Sequence, residues 1–465
     1  MKRLQGLVGR LFAVMISAAM LGCMQTASDT QGTWSGTIFQ TGLGLGTVHA
    51  IIVQNGDTLS GTWSAEFPSA SEDGEGILIG TAKGTAVSAT LQPSNLNECP
   101  YQLDATVANG TISGTFSGFN CSVATGGNIE MNRTTWLDWI YVEPGNGSHT
   151  TIEAANGDIL LVGSRKYEND YDCIVTRLGA DGALIWQSAL GGNGFQSGTS
   201  IIELPSGEII VGFISSPEGL GSPTADIVKF SASGQFTKIA TLPTIDSPRI
   251  AYRDSNTFVV STTERRFSDE GEDFSLPTAI CLDTVGNQVW KTLLEFREHT
   301  RAFEVIRTTD GFVLGSKNPL RLTKLTFDGE FMFDEIIPID NISTISSLVV
   351  NQAGEFLIGG ATENSGLIAN ISPIGVLNWT RTYSGDQGVV GIATQDDGMI
   401  LANYGPTGGV LRRVDENGLI QASAKLPNVS VGAGIMTANG TSVFVGYQSL
   451  EGAKGGFAMR FQFVN

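Results

Sequence analysis

From residue 31 onward, apolar and polar residues alternate in short runs that are broken by Gly, Asn, Asp or Pro. A period of two with frequent turn residues predicts β-strands rather than helices. No stretch carries the 3.6-residue period of a long amphipathic helix. Over residues 31–133 the runs are GTWSGTIFQ, TVHAIIVQN, TLSGTWSAEF, GILIGTAKG, AVSATLQPS, YQLDATVANG, TISGTFSGF and GGNIEMNRT. Asn55-Gly56-Asp57 and Asn109-Gly110 are hairpin turns, because Asn-Gly accepts the positive φ that such turns require. Neighbouring strands joined this way form an up-and-down meander, and about eight of them suffice to close a small barrel or sandwich. With Trp34 and Trp63 the only tryptophans of this stretch, the expected interior is filled by side chains.

After Trp136 the pattern becomes a repeat: ANGDILLVG, PSGEIIVGF, DSNTFVVST, TDGFVLGS, QAGEFLIGG, DDGMILANY and ANGTSVFVG. Its turn positions, Gly157, Gly207, Asn256, Gly311, Gly354, Gly398 and Gly440, lie 42 to 55 residues apart. Several units then carry a second turn glycine with a large aromatic residue four positions on, as in Gly182 to Trp186, Gly286 to Trp290, Gly329 to Phe333 and Gly375 to Trp379. Units of this length with four strands each predict propeller blades. The last unit ends at GFAMRFQFVN without an aromatic fourth strand, and WLDWIYV at 136–142 precedes the first. Joined, the two ends complete one blade and hide the final open edge. The expected fold is all-β, with an eight-stranded antiparallel barrel or sandwich over 31–133 and a seven-bladed propeller over 134–465.

The first residues are different in kind. Lys2, Arg3 and Arg10 are followed by an apolar run from Leu11 to Leu21, the order of a secretory signal peptide, over residues 1–22. Eleven residues are too few to span a bilayer as a helix. Met20-Leu21-Gly22-Cys23 resembles the bacterial lipobox, with Met20 where that family prefers Leu. The resemblance implies cleavage before Cys23, acylation of Cys23, and a short lipidated linker over 23–30. Two or three acyl chains anchor a protein stably in a membrane. Met24 stands where proteobacterial lipoproteins kept at the inner membrane carry Asp, so a Gram-negative source implies the outer membrane.

Without residues 1–22 the chain keeps 24 Lys and Arg against 46 Asp and Glu, so nucleic acid and anionic headgroups would be repelled. Cys99 and Cys121 flank strand-like segments and are expected to pair in an oxidising compartment, whereas Cys173 and Cys281 read as buried thiols. Gly32-Thr33-Trp34 followed by Leu59-Ser60-Gly61-Thr62-Trp63 resembles the first hairpin of lipocalin-like and avidin-like barrels. The blade pattern resembles pyrroloquinoline-quinone-like and related bacterial propeller repeats, in which a Gly-x-x-x-Trp strand docks one blade on the next. Quinoprotein enzymes of that group use adjacent cysteines, calcium and a catalytic Asp; this chain has no adjacent Cys pair. Other lipid-anchored members act as scaffolds, which by resemblance implies a scaffolding role.

No catalytic residues, metal site or cofactor emerge from the motifs. His49, His149 and His299 have no partner at metal-ligating spacing. The acidic clusters Glu168, Asp170, Asp172 and Asp269, Glu270, Glu272, Asp273 lack the calcium-loop pattern and read as solvated loops, with Glu168, Asp170, Asp172, Asp269 and Asp273 the weak metal candidates. Segments such as 164–171, 214–225, 262–277 and 447–455 would share one face with the connections between blades, where recognition is usually placed. On that face Arg249, Arg265, Arg266, Arg297, His299 and Arg301 are the candidate binding residues. The expected function is a lipid-anchored extracytoplasmic binding or scaffolding protein with a protein or glycan partner. The alternative is an envelope glycan hydrolase or lyase with carboxylates at the propeller channel.

Overall fold

The computed structural model describes residues 29–68, 74–95, 98–119, 125–144, 146–167, 170–217, 222–267, 273–294, 300–317, 319–395, 397–405, 408–438, 440–448 and 455–464. The chain is all-β, with no helix among the described residues. It divides into two compact units, residues 1–133 and 134–465.

In the first unit, β1 (Gly32–Gln40), β2 (Gly44–Asn55), β3 (Thr58–Glu66), β4 (Gly74–Lys83), β5 (Ala86–Pro93), β6 (Tyr101–Ala108), β7 (Thr111–Gly118) and the start of β8 (Gly126–Pro144) pair in sequence order. β1 pairs with β8, which closes an eight-stranded barrel. Alternate residues point inward, as the period of two requires. Trp34 fills one end: it is fully buried, its Nε1 donates to Thr30 O at 2.9 Å, and the Arg133 guanidinium lies 4.7 Å from its ring centre. The opposite end corrects the expectation of a filled interior. A cavity of about 440 Å³ lies there, lined by Ile38, Gln40, Trp63, Leu78, Phe116 and Met131 among others. Inward positions near this end include Ala50 and Ala65, too small to meet across the barrel.

The second unit is made of four-stranded antiparallel meanders. In chain order they are β9 (Asn146–Glu153), β10 (Ile159–Tyr167), β11 (Asp170–Leu178), β12 (Leu184–Leu190); β13 (Gly194–Glu203), β14 (Ile209–Pro217), β15 (Thr224–Phe230), β16 (Phe236–Pro243); β17 (Arg249–Tyr252), β18 (Thr257–Phe267), β19 (Asp273–Asp283), β20 (Gln288–Leu293). Then come β21 (Arg301–Arg307), β22 (Gly311–Lys317), β23 (Arg321–Thr326), β24 (Phe331–Ile336); β25 (Ile342–Val350), β26 (Phe356–Thr362), β27 (Ser365–Ile371), β28 (Leu377–Ser384); β29 (Gly388–Gln395), β30 (Gly398–Gly405), β31 (Gly408–Val414), β32 (Ile420–Pro427). The last comprises β33 (Val429–Met436), β34 (Ser442–Gln448) and β35 (Gly455–Phe463), with residues 135–144 of β8 as its outer strand. The first strands of successive meanders touch in turn, and β33 touches β9. This is a β-propeller architecture.

The strand around Trp139 pairs with β35, as the two ends of the repeat require. The sequence pattern treats 126–134 and 136–142 as separate strands, but β8 is continuous. Thr134 and Thr135 are β-branched and no turn residue interrupts them, so nothing ends the extended backbone. The segment 262–277, read as a loop, is largely hairpin: Thr263 to Phe267 pair with Pro277 to Asp273. Its polar residues on both faces hide the strand period.

Aromatic rings tie adjacent meanders together. Trp186 donates from Nε1 to Ala232 O at 3.0 Å and Trp290 to Phe327 O at 3.1 Å, each reaching the β-turn of the next meander. Trp139 does the same across the junction of last and first, to Ala180 O at 3.1 Å. Each ring lies on the turn glycine: a Cβ on Gly234 would meet Trp186 at 2.7 Å. Gly234 also has φ 82°, the left-handed region.

Gly234→Ala is expected to carry the left-handed backbone cost of roughly 1–2 kcal/mol plus an overpacking cost of about 1–3 kcal/mol. Gly207, at φ 84° with open space around it, isolates the first cost. Gly234→Ala should therefore lower the unfolding midpoint of the propeller clearly more than Gly207→Ala; equal midpoints in a urea titration followed by Trp fluorescence would remove the docking role.

Candidate functional site

Where the second strand of each meander pairs with the first, the ladder slips by one residue in nearly every case. The residues skipped there are His149, Thr199, Phe303, Ser346, Val390 and Gly432 on β9, β13, β21, β25, β29 and β33, and β25 slips a second time at Ser343. Such bulges bend a strand and re-aim a side chain. Repeated on the innermost strands, they make the propeller axis a place where side chains of unlike chemistry gather. β17 has only four residues and no bulge, and it opens with Arg249.

Arg249 is the hub of this region. Its Nε donates to Phe303 O at 3.0 Å, a terminal nitrogen donates to Thr199 O, and Nε lies 3.7 Å from a Glu304 oxygen. It therefore links β13, β17 and β21. Burial pushes the Glu304 carboxyl above the ordinary carboxylate range, opposed by Arg249 and by the backbone N–H of Val305. His149 contacts Ser164 Oγ through Nε2 at 3.1 Å. Crowding by the surrounding wall lowers its pKa, and the Arg249 charge lowers it further. Asp246, in the connection before β17, is raised by burial and lies 3.7 Å from Arg301.

Of the expected arginines, Arg249, Arg266 and Arg301 meet acids. Arg266 donates to Glu264 at 2.7 Å, and Lys291 lies 2.5 Å from the other Glu264 oxygen. Arg265 is exposed beside it on β18. Arg297 and His299 lie outside the described residues, as do Cys23, Cys121, Glu168 and Asp269; nothing is described of the Asp273 side chain. Asp170 accepts from its own neighbour's backbone, Tyr171 N, at 2.8 Å. Burial raises Asp172, helped by Asp170 and opposed by Arg165. Among the described residues no group of three His, Cys, Asp or Glu is placed to hold a metal ion. Cys173 and Cys281 are buried free thiols.

Glu304, Asp246 and Thr199 were not singled out from sequence. The usable signal was register: counting back from the repeat glycines places Thr199, Arg249 and Glu304 at neighbouring levels of successive first strands. Two other first-strand acids are engaged elsewhere. Glu203 accepts from Ala155 N and Glu153 from Ala438 N, both at 2.6 Å, each binding the turn of the preceding meander.

No family profile matches the chain, and no curated protein matches it. Among solved structures it is similar to the Neurospora crassa Pan2 WD40 domain, at 7% identity and TM-score 0.47, covering 71% of this chain and 96% of that one. It is also similar to the extracellular domain of the putative one component system BT4673 from B. thetaiotaomicron, at 11% identity and TM-score 0.47, covering 89% and 55%. A K499G mutant of NanB sialidase from Streptococcus pneumoniae shows 10% identity and TM-score 0.40, covering 92% and 94%. These likenesses assign no activity.

Because the folded state favours neutral His149, its contribution to stability is complete above the unfolded-chain value of about 6.5. That contribution is lost as pH falls from there through the lowered folded value. His149→Gln is therefore expected to lose less thermal stability than the parent between pH 7 and pH 5. Parallel melting curves that shift equally would show that His149 does not titrate against the fold.

Proposed function

We propose that this chain is a lipid-anchored binding or scaffolding protein of the bacterial envelope. In this reading residues 134–465 close as a seven-bladed propeller, Cys23 carries the lipid, and the face where the first strands begin meets a protein or an envelope glycan. The observation that carries it is the unbroken succession of first-strand contacts from β9 round to β33 and back to β9. Such a ring is a stiff frame, and recognition belongs to the segments that leave it. The foremost of these is the β18–β19 hairpin, which runs beyond the last rung that β19 shares with β20 at Thr278 and bears Arg265 and Arg266.

The segment before Cys23 supports export, and the net charge of −19 argues for partners other than nucleic acid. The rival reading, a glycan hydrolase or lyase, requires a pair of acids across the substrate. Among the described first-strand acids, Glu304 alone is left for it. The same reading pairs Cys99 with Cys121, as the exported compartment favours.

Cys23→Ser is expected to move the protein from the membrane to the soluble fraction and to abolish palmitate labelling; retention at the membrane would overturn the anchor. Pull-down from envelope membranes should recover a partner that is lost when residues 265–275 are replaced by an Asn-Gly turn, and a partner set unchanged by that replacement would count against the face. Non-reducing peptide mapping should find Cys99 linked to the Cys121 peptide.

A further inference from the structure

We propose that the barrel cavity is a binding site for a small amphiphile with an apolar body and a neutral or cationic hydrogen-bonding head. This stands on the first unit alone and is independent of the role given to the propeller.

The cavity is about 440 Å³ and opens at the barrel end that Trp34 does not fill. That volume is within the range of small-molecule sites, which are mostly apolar with a few placed polar groups. Its wall is apolar: Leu78, Leu103, Phe116, Ile129 and Met131 supply most of it. Trp63 contributes its ring, since its Nε1 already donates to Ile77 O at 3.1 Å.

The polar side chains of the lining are few, Gln40, Glu98 and Tyr101. Gln40 closes β1, is 9% exposed and lines the cavity, yet its side-chain amide has no hydrogen-bond partner among the described residues. The amide atoms are not sealed off from solvent, so they face space that water or a ligand head can reach. An amide kept at the edge of an apolar cavity is a group for an incoming head to satisfy, in exchange for water. Glu98 lies at the same end, with Asn95 Nδ2 donating to its Oε1 at 2.9 Å and its second oxygen available to a donor. Tyr101 adds its phenol-bearing ring beside it.

Charge selects the head. Glu98 is the one charged side chain among the described lining residues, and no Lys or Arg is present to meet an anion. A carboxylate head would be placed near a carboxylate in a chain of net charge −19. A hydroxyl or an ammonium can donate to Glu98 or to the Gln40 side-chain oxygen, so the site favours an alcohol or amine over an acid of the same length.

Decanol, decylamine and decanoate, titrated calorimetrically into the full chain below their micellar concentrations, test this. Decanol and decylamine are expected to bind one per chain, and decanoate at least about tenfold more weakly. Ala65→Trp, which fills the cavity, should abolish binding of both, with an unchanged melting profile certifying the fold. Gln40→Leu, which keeps the shape and removes the amide, should weaken decanol about threefold to tenfold, and it decides the question if Ala65→Trp does not fold. No saturable binding by any of the three, decanoate binding as tightly as decanol, or binding indifferent to Gln40→Leu would each overturn the proposal.

Discussion

An indole laid on a glycine turn is the contact on which the second unit depends. Each four-stranded meander has a hydrophobic face too small to be stable alone, so its stability comes from the neighbour it covers. The aromatic residue at the start of the fourth strand performs this covering and, through its N–H, fixes the angle. Trp186, Trp290 and Trp139 each donate to the carbonyl two residues before the glycine they cover. Ser188 and Thr292, two residues beyond their tryptophans, add bonds of 2.6 and 2.7 Å to the carbonyls of Gly234 and Gly329. Each indole brings a large apolar surface and an N–H that finds a partner, and repetition makes the contact decisive.

The exceptions obey the same constraint. The fourth strand β16 carries Lys238 where an aromatic is expected, and Gly286 instead sits directly against the Ile239 backbone, where a Cβ would come within 2.0 Å of its carbonyl. The strand β32 carries Ala422 at that position, and the following meander has no turn there, because its third and fourth strands come from opposite ends of the unit. Where the turn is missing, the aromatic is missing too. Trp139, from the early strand, then covers Gly182, and Arg460 from the late strand donates to the same Ala180 carbonyl at 2.6 Å. Both halves of the composite meander thus hold the first one.

This explains what could be read in the sequence. The repeat was legible because the docking pair, glycine and aromatic four residues on, is chemically conspicuous and recurs at a fixed distance from the strands. The barrel strands were legible for the same reason, through alternation and Asn-Gly turns. The axial bulges were not, because their residues are His149, Thr199, Phe303, Ser346, Val390 and Gly432, which share a backbone position and no side-chain type. The cavity was hidden for a related reason: Ala50 and Ala65 read as ordinary inward positions, and only the closed geometry shows that they leave space. The hairpin beyond Thr262 was hidden because a strand with polar residues on both faces has no period to detect.

The axis differs from the rim in how its charges are used. At the rim, acids and bases pair with close neighbours, as Lys238 with the buried Asp226 at 3.0 Å and Arg413 with Asp397 at 3.0 Å, and exposed pairs like the second add little. Near the axis, Glu153 and Glu203 bind backbone amides of adjoining turns and so belong to the frame. Arg249 departs from that rule, since it binds backbone oxygens on two neighbouring first strands and faces Glu304 as well. It sits on the one short, unbulged first strand, so the symmetry of the repeat is broken at a charged position. A repeating frame gives equivalent positions all round, and a partner can be held in one orientation only where those positions cease to be equivalent.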